Sequence, residues 1–176
     1  MRAMYFWLAA SLFSTSAMAA GYSEKKSGDL SNSGATPTAV KLKLGNNVIS
    51  GKYGTKSGTT DRDYFTIKIP AGQQLSAIIL EPETQVGINV SFIGIQKGKQ
   101  VTVPPVGGSP EDLLGYALYG TSDEGKDILP AIGQGSGSKG FVPPLGAGTY
   151  SFWVQETATC DCQYKFTFVM SAATGE

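Results

Sequence analysis

Apolar residues recur at every second position in short runs of this sequence, and this alternation limits what the chain can fold into. The clearest runs are YFTIKI at 64–69, TYSFWVQ at 149–155 and YKFTFVM at 164–170. A period of two places alternate side chains on opposite faces of a β-strand. Twenty-three glycines and nine prolines supply turns between such runs. We therefore predict an all-β protein, an antiparallel β-sandwich of jelly-roll type with about eight strands.

The last two runs are predicted to pair as a hairpin, with Cys160-Asp161-Cys162 in its turn. An oxidising compartment favours a bond between the two cysteines, although a ring closed across one residue is strained. Two reduced thiols and an intermolecular bond remain open alternatives. In each case we expect a structural or incidental role, because a hairpin forms without a disulfide.

The first 19 residues have the features of an export signal. Arg2 precedes the short apolar run Met4–Leu12, and Ala17-Met18-Ala19 places small residues before a cut after Ala19 or Ala20. The apolar run is too short to span a bilayer as a helix. We expect an exported, periplasmic or extracellular protein, with a signal peptide at 1–19, a flexible polar leader at 20–38 and one β-sandwich domain at 39–172.

The composition excludes several function classes. The chain has no histidine, which removes serine–histidine and cysteine–histidine catalysis and the commonest zinc ligand. Fourteen basic and 14 acidic residues balance each other. A near-neutral chain lacks the electrostatic footprint of a nucleic-acid-binding protein, and its net charge predicts no strong attraction to anionic lipid.

Asp61 and Asp63 precede the run at 64–69 and are candidate metal ligands. They lie two residues apart, so their side chains point the same way in an extended chain. Calcium prefers several carboxylate and carbonyl oxygens, and an acid from the leader could complete such a set. The alternative is a solvated loop in which both acids only precede a strand.

Four segments together resemble the bacterial pre-peptidase C-terminal domain family and similar collagen-binding modules of exported proteins. They are GDLS at 28–31, LGNNVISG at 44–51, DRDYFTIKIPAG at 61–72 and LGAGTYSFWVQ at 145–155. The resemblance implies a compact jelly-roll sandwich that accompanies secreted proteins without being catalytic. It also implies a calcium site formed by Asp61 and Asp63 with Glu24, Asp29 or Asn32.

Large aromatic residues offer a second candidate surface. Trp153 alternates with Phe152, and if its face of the strand is exposed it could stack on sugar rings or on a partner protein, together with Tyr64 and Tyr119. The alternative is that these rings fill the core.

We expect a non-catalytic binding or structural module that recognises a protein or polysaccharide at the cell surface or in the matrix, with calcium as a stabilising ion. One alternative is a secreted hydrolase that uses carboxylates, and a second is a subunit of a surface assembly. The spacing of the acids singles out no acid and base pair for the hydrolase. The acids available to it are Glu111, Asp112, Asp123, Glu124 and Glu156.

Overall fold

The computed structural model describes residues 20–82 and 90–174, and the predicted signal peptide lies outside them. The helices are α1 (Glu24–Ser27) and α2 (Leu129–Gly133). Neither has the length and apolarity for crossing a bilayer, and no other helix in the described ranges does. The strands are β1 (Ala20–Ser23), β2 (Thr38–Val40), β3 (Gly45–Lys56), β4 (Thr59–Ile69), β5 (Gln73–Leu80), β6 (Ser91–Lys97), β7 (Gly115–Tyr119), β8 (Gly148–Gln155) and β9 (Cys162–Ala172).

The strands form two facing layers, which confirms the predicted all-β sandwich. One layer has the order β5-β9-β3 and the other β4-β8-β6-β7, all pairs being antiparallel. This crossing order is that of a jelly roll. The tip of the β3–β4 hairpin, where Gly54–Lys56 pair with Thr59–Asp61, joins the layers. Two short strands add parallel pairs at the sides, β1 on β3 and β2 on β4.

The predicted hairpin of the last two runs is wrong, because β8 and β9 lie in opposite layers. β8 pairs with β4 and β6, whereas β9 pairs with β3 and β5. Alternation specifies which face of a strand is apolar and leaves its partner open. The two inward faces meet across the core instead, where the rings of Phe152 and Phe168 lie 5.3 Å apart.

The core fills the space between the layers with aromatic and aliphatic side chains. Phe65 stacks on Phe152 with ring centroids 5.0 Å apart, and Tyr119 meets Phe166 edge to face. Burying each such ring contributes about 1.5–3 kcal/mol to folding. Leu30 belongs to this core at 2 % exposure, although it lies in the predicted leader.

The leader is packed against the sandwich, unlike the flexible segment that we predicted. β1 runs beside β3 from Ala20 to Ser23, Leu30 anchors the following loop in the core, and β2 runs beside β4. Few apolar residues mark this segment in the sequence, so its composition resembles that of a linker. One buried leucine and two short parallel pairings hold it in place.

The outer face of β4 and β8 carries a second apolar layer. The ring of Tyr64 stacks on Trp153 at 5.8 Å, and Phe92 lies 4.7 Å from the same indole. Residues 98–114 cross this face and cover it with Val101, Val103 and Leu113.

Of the two alternatives for the large aromatic residues, the structure has the buried one, so the candidate stacking surface is wrong. Trp153 is 5 % exposed, Tyr64 3 % and Tyr119 1 %. Trp153 and Tyr64 lie beneath the covering segment, and Tyr119 points into the core, where its hydroxyl donates to Tyr53 Oη. These rings stabilise the fold and offer no open stacking surface.

Candidate metal centre

Three carboxylates meet where the leader passes the start of β4. Glu24 comes from α1, Asp29 from the loop that follows, and Asp63 from the inward face of β4. One oxygen from each lies within 4.8 Å of the others. We call these three residues the acidic cluster. The strand period explains the position of Asp63, because it shares the inward face of β4 with Phe65 and Ile67.

Asp63 is the buried member of the acidic cluster. Its side chain has no exposed surface, and neither carboxylate oxygen has a partner at ordinary hydrogen-bond distance, although the nearby Tyr164 hydroxyl partly lowers the pKa of the group. Burial raises the pKa of Asp63 to about 9, and the nearby charge of Glu24 adds to this shift. A buried carboxylate without partners is costly unless a proton or a cation neutralises it.

Tyr164 faces Asp63 from the opposite layer. It lies on β9, is 1 % exposed, and its hydroxyl likewise has no hydrogen-bond partner. Burial, followed by the charge of Asp63, raises the pKa of this phenol well above its usual value. The Tyr164 hydroxyl and the Asp63 carboxylate therefore influence each other across the core, beyond ordinary hydrogen-bond distance.

Backbone donors fix the position of Glu24. Leu30 N donates to Oε1 at 3.0 Å and Lys52 N donates to Oε2 at 2.7 Å. Gly51 makes this approach possible, because a Cβ there would lie 2.8 Å from Glu24 Oε2 and 2.7 Å from Tyr164 Oη. Burial raises the pKa of Glu24, with a further contribution from Asp29.

The other two predicted ligands lie beside the acidic cluster and bond to each other. Asn32 Nδ2 donates to Asp61 Oδ1 at 3.0 Å, and Arg62 N donates to Asn32 Oδ1 at 2.7 Å. Burial and the charge of Asp29 raise the pKa of Asp61. The structure thus brings three of the five predicted side chains together as a cluster, while Asp61 and Asn32 form a separate bonded pair.

The chemistry of the acidic cluster suits a hard divalent cation. It offers carboxylate oxygens, which are ligands of the type that calcium prefers. The two ion pairs found among the described residues, Lys52–Asp161 and Lys126–Asp123, do not involve it. A bound cation would supply the positive charge that these carboxylates lack.

A groove of about 750 Å³ opens beside the acidic cluster, and we call it the leader groove. Glu24, Asp29 and Tyr164 contribute to its wall, so the cluster and the groove share residues. The remaining lining is polar or basic and consists of Ser23, Lys25, Ser50, Gly51, Lys52, Gln163 and Lys165.

A separate buried polar network surrounds Glu156. Its carboxylate accepts from Ser91 Oγ at 3.1 Å and from Ala158 N at 2.8 Å, and the Ser91 hydroxyl also bonds to Tyr53 Oη. These contacts satisfy Glu156 as a structural group. Among the other hydrolase candidates, Asp123 pairs with Lys126, while Glu111 and Asp112 are exposed.

Cys160 and Cys162 form a disulfide across Asp161, in the connection that crosses between the layers. Asp161 forms an ion pair with Lys52 at 2.9 Å. Gly54 of β3 packs closely against this connection, since a Cβ there would lie 2.7 Å from Cys160 O. Of the three alternatives, the structure has the local bond.

Two residues at the site escape sequence reasoning. Tyr164 follows the same inward alternation as the core aromatics, and Gly51 is one of many glycines. No local signal separates either of them from its neighbours.

Comparison of the chain with protein-family models, with curated proteins and with solved structures finds no match.

Proposed function

We propose that this protein is an exported, non-catalytic binding module of the pre-peptidase C-terminal domain type, stabilised by calcium at the acidic cluster. The observation that carries the proposal is the buried, unpaired carboxylate of Asp63 beside Glu24 and Asp29. A module that retained such a group without a counter-ion would lose stability for no gain.

Calcium would join the leader to the sandwich. Glu24 and Asp29 belong to the leader and Asp63 to β4, so one ion would connect two segments that are far apart in sequence. Asp61 with Asn32 would support the same junction from the side. The ion would supply positive charge and connect the segments, and it would take part in no reaction.

The leader groove is the proposed binding surface. Its polar and basic lining offers donors and acceptors suited to the hydroxyl groups of a polysaccharide or to a polar protein surface. Because Glu24, Asp29 and Tyr164 belong both to the groove and to the calcium site, loss of the ion would also disturb the groove.

Thermal unfolding of residues 20–176 tests the calcium proposal. We expect calcium to raise the Tm of the native protein after treatment with a chelator, and magnesium to raise it less. Asp63→Asn should abolish this response. Asp112→Asn, at an exposed acid far from the cluster, is the matched control and should respond like the native protein. An unchanged Tm in calcium would overturn the proposal.

A panel of cell-surface polysaccharides and envelope proteins, screened with calcium and then with chelator, tests the binding role. If the native protein binds one member of the panel and the Lys25→Glu variant does not, the result supports the leader groove as the binding surface. Release of soluble sugar or peptide during incubation would instead favour the hydrolase.

A further inference from the structure

Charged residues are segregated between the two ends of the sandwich. The loops at one end include residues 41–44, 69–73, 97–100 and 145–148, which contain no aspartate or glutamate, whereas the remainder of the β6–β7 connection carries Glu111 and Asp112. We call these loops, with the adjoining Lys68, the basic end. It presents five exposed lysines, which are Lys41, Lys43, Lys68, Lys97 and Lys99.

Strand register brings these lysines onto one surface. Lys68 of β4 pairs with Thr149 of β8, and Lys97 of β6 pairs with the next residue, Tyr150. The chain after Lys97 then folds back over β8 towards β4, where Lys99 O accepts from Thr66 Oγ1 at 3.4 Å. Lys41 directly follows the end of β2, which runs beside β4 as far as Ile67. Lys41, Lys68 and Lys99 are therefore neighbours.

None of these five lysines forms an ion pair with a described residue, whereas Lys52 and Lys126 do. Among the described residues, the ion pairs Lys52–Asp161 and Lys126–Asp123 both lie at the opposite end. That end also holds most of the acids: Glu24, Asp29, Asp61, Asp63, Glu81, Asp123, Glu124, Asp127, Glu156 and Asp161. Balanced composition thus conceals a strongly polarised domain.

Apolar surface accompanies the lysines. Leu44 is 59 % exposed in the loop that contains Lys41 and Lys43, and Pro70, Ala71 and Ala147 are exposed in neighbouring loops. Glu111 and Asp112 precede β7 at the far side of its layer, and Ala173, three residues before Glu176 in the sequence, donates to Gly72 O at 2.9 Å. Lysines around a protruding leucine are suited to a surface that is anionic outside and apolar just beneath.

We propose that the basic end docks on an anionic phospholipid surface, with Leu44 entering the headgroup layer. Several lysines on one end suit a broad, diffuse layer of negative charge better than a single ligand. The leader groove lies at the acidic cluster, and a smaller groove of about 230 Å³ lies over Trp153, so neither belongs to this surface. Docking in this orientation directs the acidic cluster away from the bilayer.

The basic end contains no arginine, which would favour bidentate contacts to nucleic acid or to discrete phosphates. The net charge of the chain predicted no attraction to anionic lipid, but segregation of the charges creates one locally. The proposal stands apart from the proposed function, because none of the lysines at the basic end belongs to the acidic cluster or to the leader groove.

Co-sedimentation of residues 20–176 with vesicles tests this proposal, and a chelator in all samples removes any contribution from calcium. We expect binding to phosphatidylglycerol–phosphatidylcholine vesicles at low salt, loss of binding at high salt, and none to phosphatidylcholine alone. Lys68→Glu/Lys99→Glu should weaken binding by about tenfold or more. Leu44→Ser should weaken it by about threefold without changing its salt dependence.

Lys26→Glu/Lys56→Glu is the matched control, with two exposed lysines reversed at the opposite end. It should bind like the native protein, and the Tm of every variant should show that it folds. Equal weakening by both charge-reversed pairs would overturn the proposal. So would equal binding to neutral vesicles, or tighter binding to a soluble anionic polysaccharide or oligonucleotide than to the vesicles. The proposal would also be overturned if salt-sensitive dimerisation of the protein, without vesicles, accounted for its sedimentation.

Discussion

The carboxylate of Asp63 and the hydroxyl of Tyr164 face each other from opposite layers of the sandwich, and neither has a hydrogen-bond partner. Burial raises the pKa of Tyr164, and the charge of Asp63 adds to this shift. Glu24 reaches the same place from the leader. A domain of this size ordinarily satisfies its buried polar groups, and the proposal of a bound calcium ion rests on this buried carboxylate beside two further acids.

Asp63→Asn should change the response to calcium and the stability of the metal-free protein in opposite directions. Removing an ionisable buried group should stabilise the metal-free domain at neutral pH by about 1–3 kcal/mol, while calcium should no longer add stability. Urea unfolding with chelator and with calcium measures both effects. If the variant were less stable in chelator, Asp63 would be a structural group and the account of the acidic cluster would be wrong.

The stability of the metal-free protein should fall as pH rises. The folded pKa of Asp63 is about 9, far above its value of 3.8 in an unfolded chain. Between these values the folded state holds a proton that the unfolded state has lost, so the unfolding free energy decreases from about pH 4 to about pH 9. Neighbouring Glu24 and Asp61 shift in the same direction.

Urea unfolding over this pH range, in chelator, measures the decline. Calcium should reverse the slope, because a cation favours the charged carboxylates. Stability that rises with pH in chelator would contradict the raised pKa of Asp63.

Gly51→Ala should displace Glu24 from the acidic cluster. The added Cβ would lie under 3 Å from both Glu24 Oε2 and Tyr164 Oη, so one of the two must move. We expect a loss of about 1–3 kcal/mol in stability and at least tenfold weaker calcium binding. Gly146→Ala is the matched control, since a Cβ there meets nothing within 4 Å. Calorimetric titration of both variants with calcium measures these affinities. If Gly51→Ala binds calcium as tightly as the native protein, Glu24 does not have the role given to it here.

Loss of the disulfide should leave the domain folded. The bond closes a very short loop, for which chain entropy predicts a contribution of about 1–2 kcal/mol. Cys160→Ala/Cys162→Ala should therefore lower the Tm by several degrees and keep the calcium response. Native protein treated with a reductant should behave alike. Unfolding of either sample at room temperature would show that the connection between the layers depends on the bond.

Alternation along the strands predicted the fold class and part of the candidate site. It placed Asp61 and Asp63 on one side of β4, and the structure shows both at the leader. It failed where a partner had to be chosen, as for β8 and β9, because a period of two specifies a face and no neighbour. It also left the burial of Trp153 undecided, since nothing in the sequence of residues 98–114 shows that they cross that face.

Isothermal titration of residues 20–176 with calcium, in buffers of different ionisation enthalpy, tests the central claim most directly. We predict one calcium per chain at the acidic cluster, with close to one proton released at neutral pH, because Asp63 must ionise to bind. Asp63→Asn should bind at least tenfold more weakly and release no proton. Absence of heat from the native protein, or binding that Asp63→Asn leaves unchanged, would contradict the account.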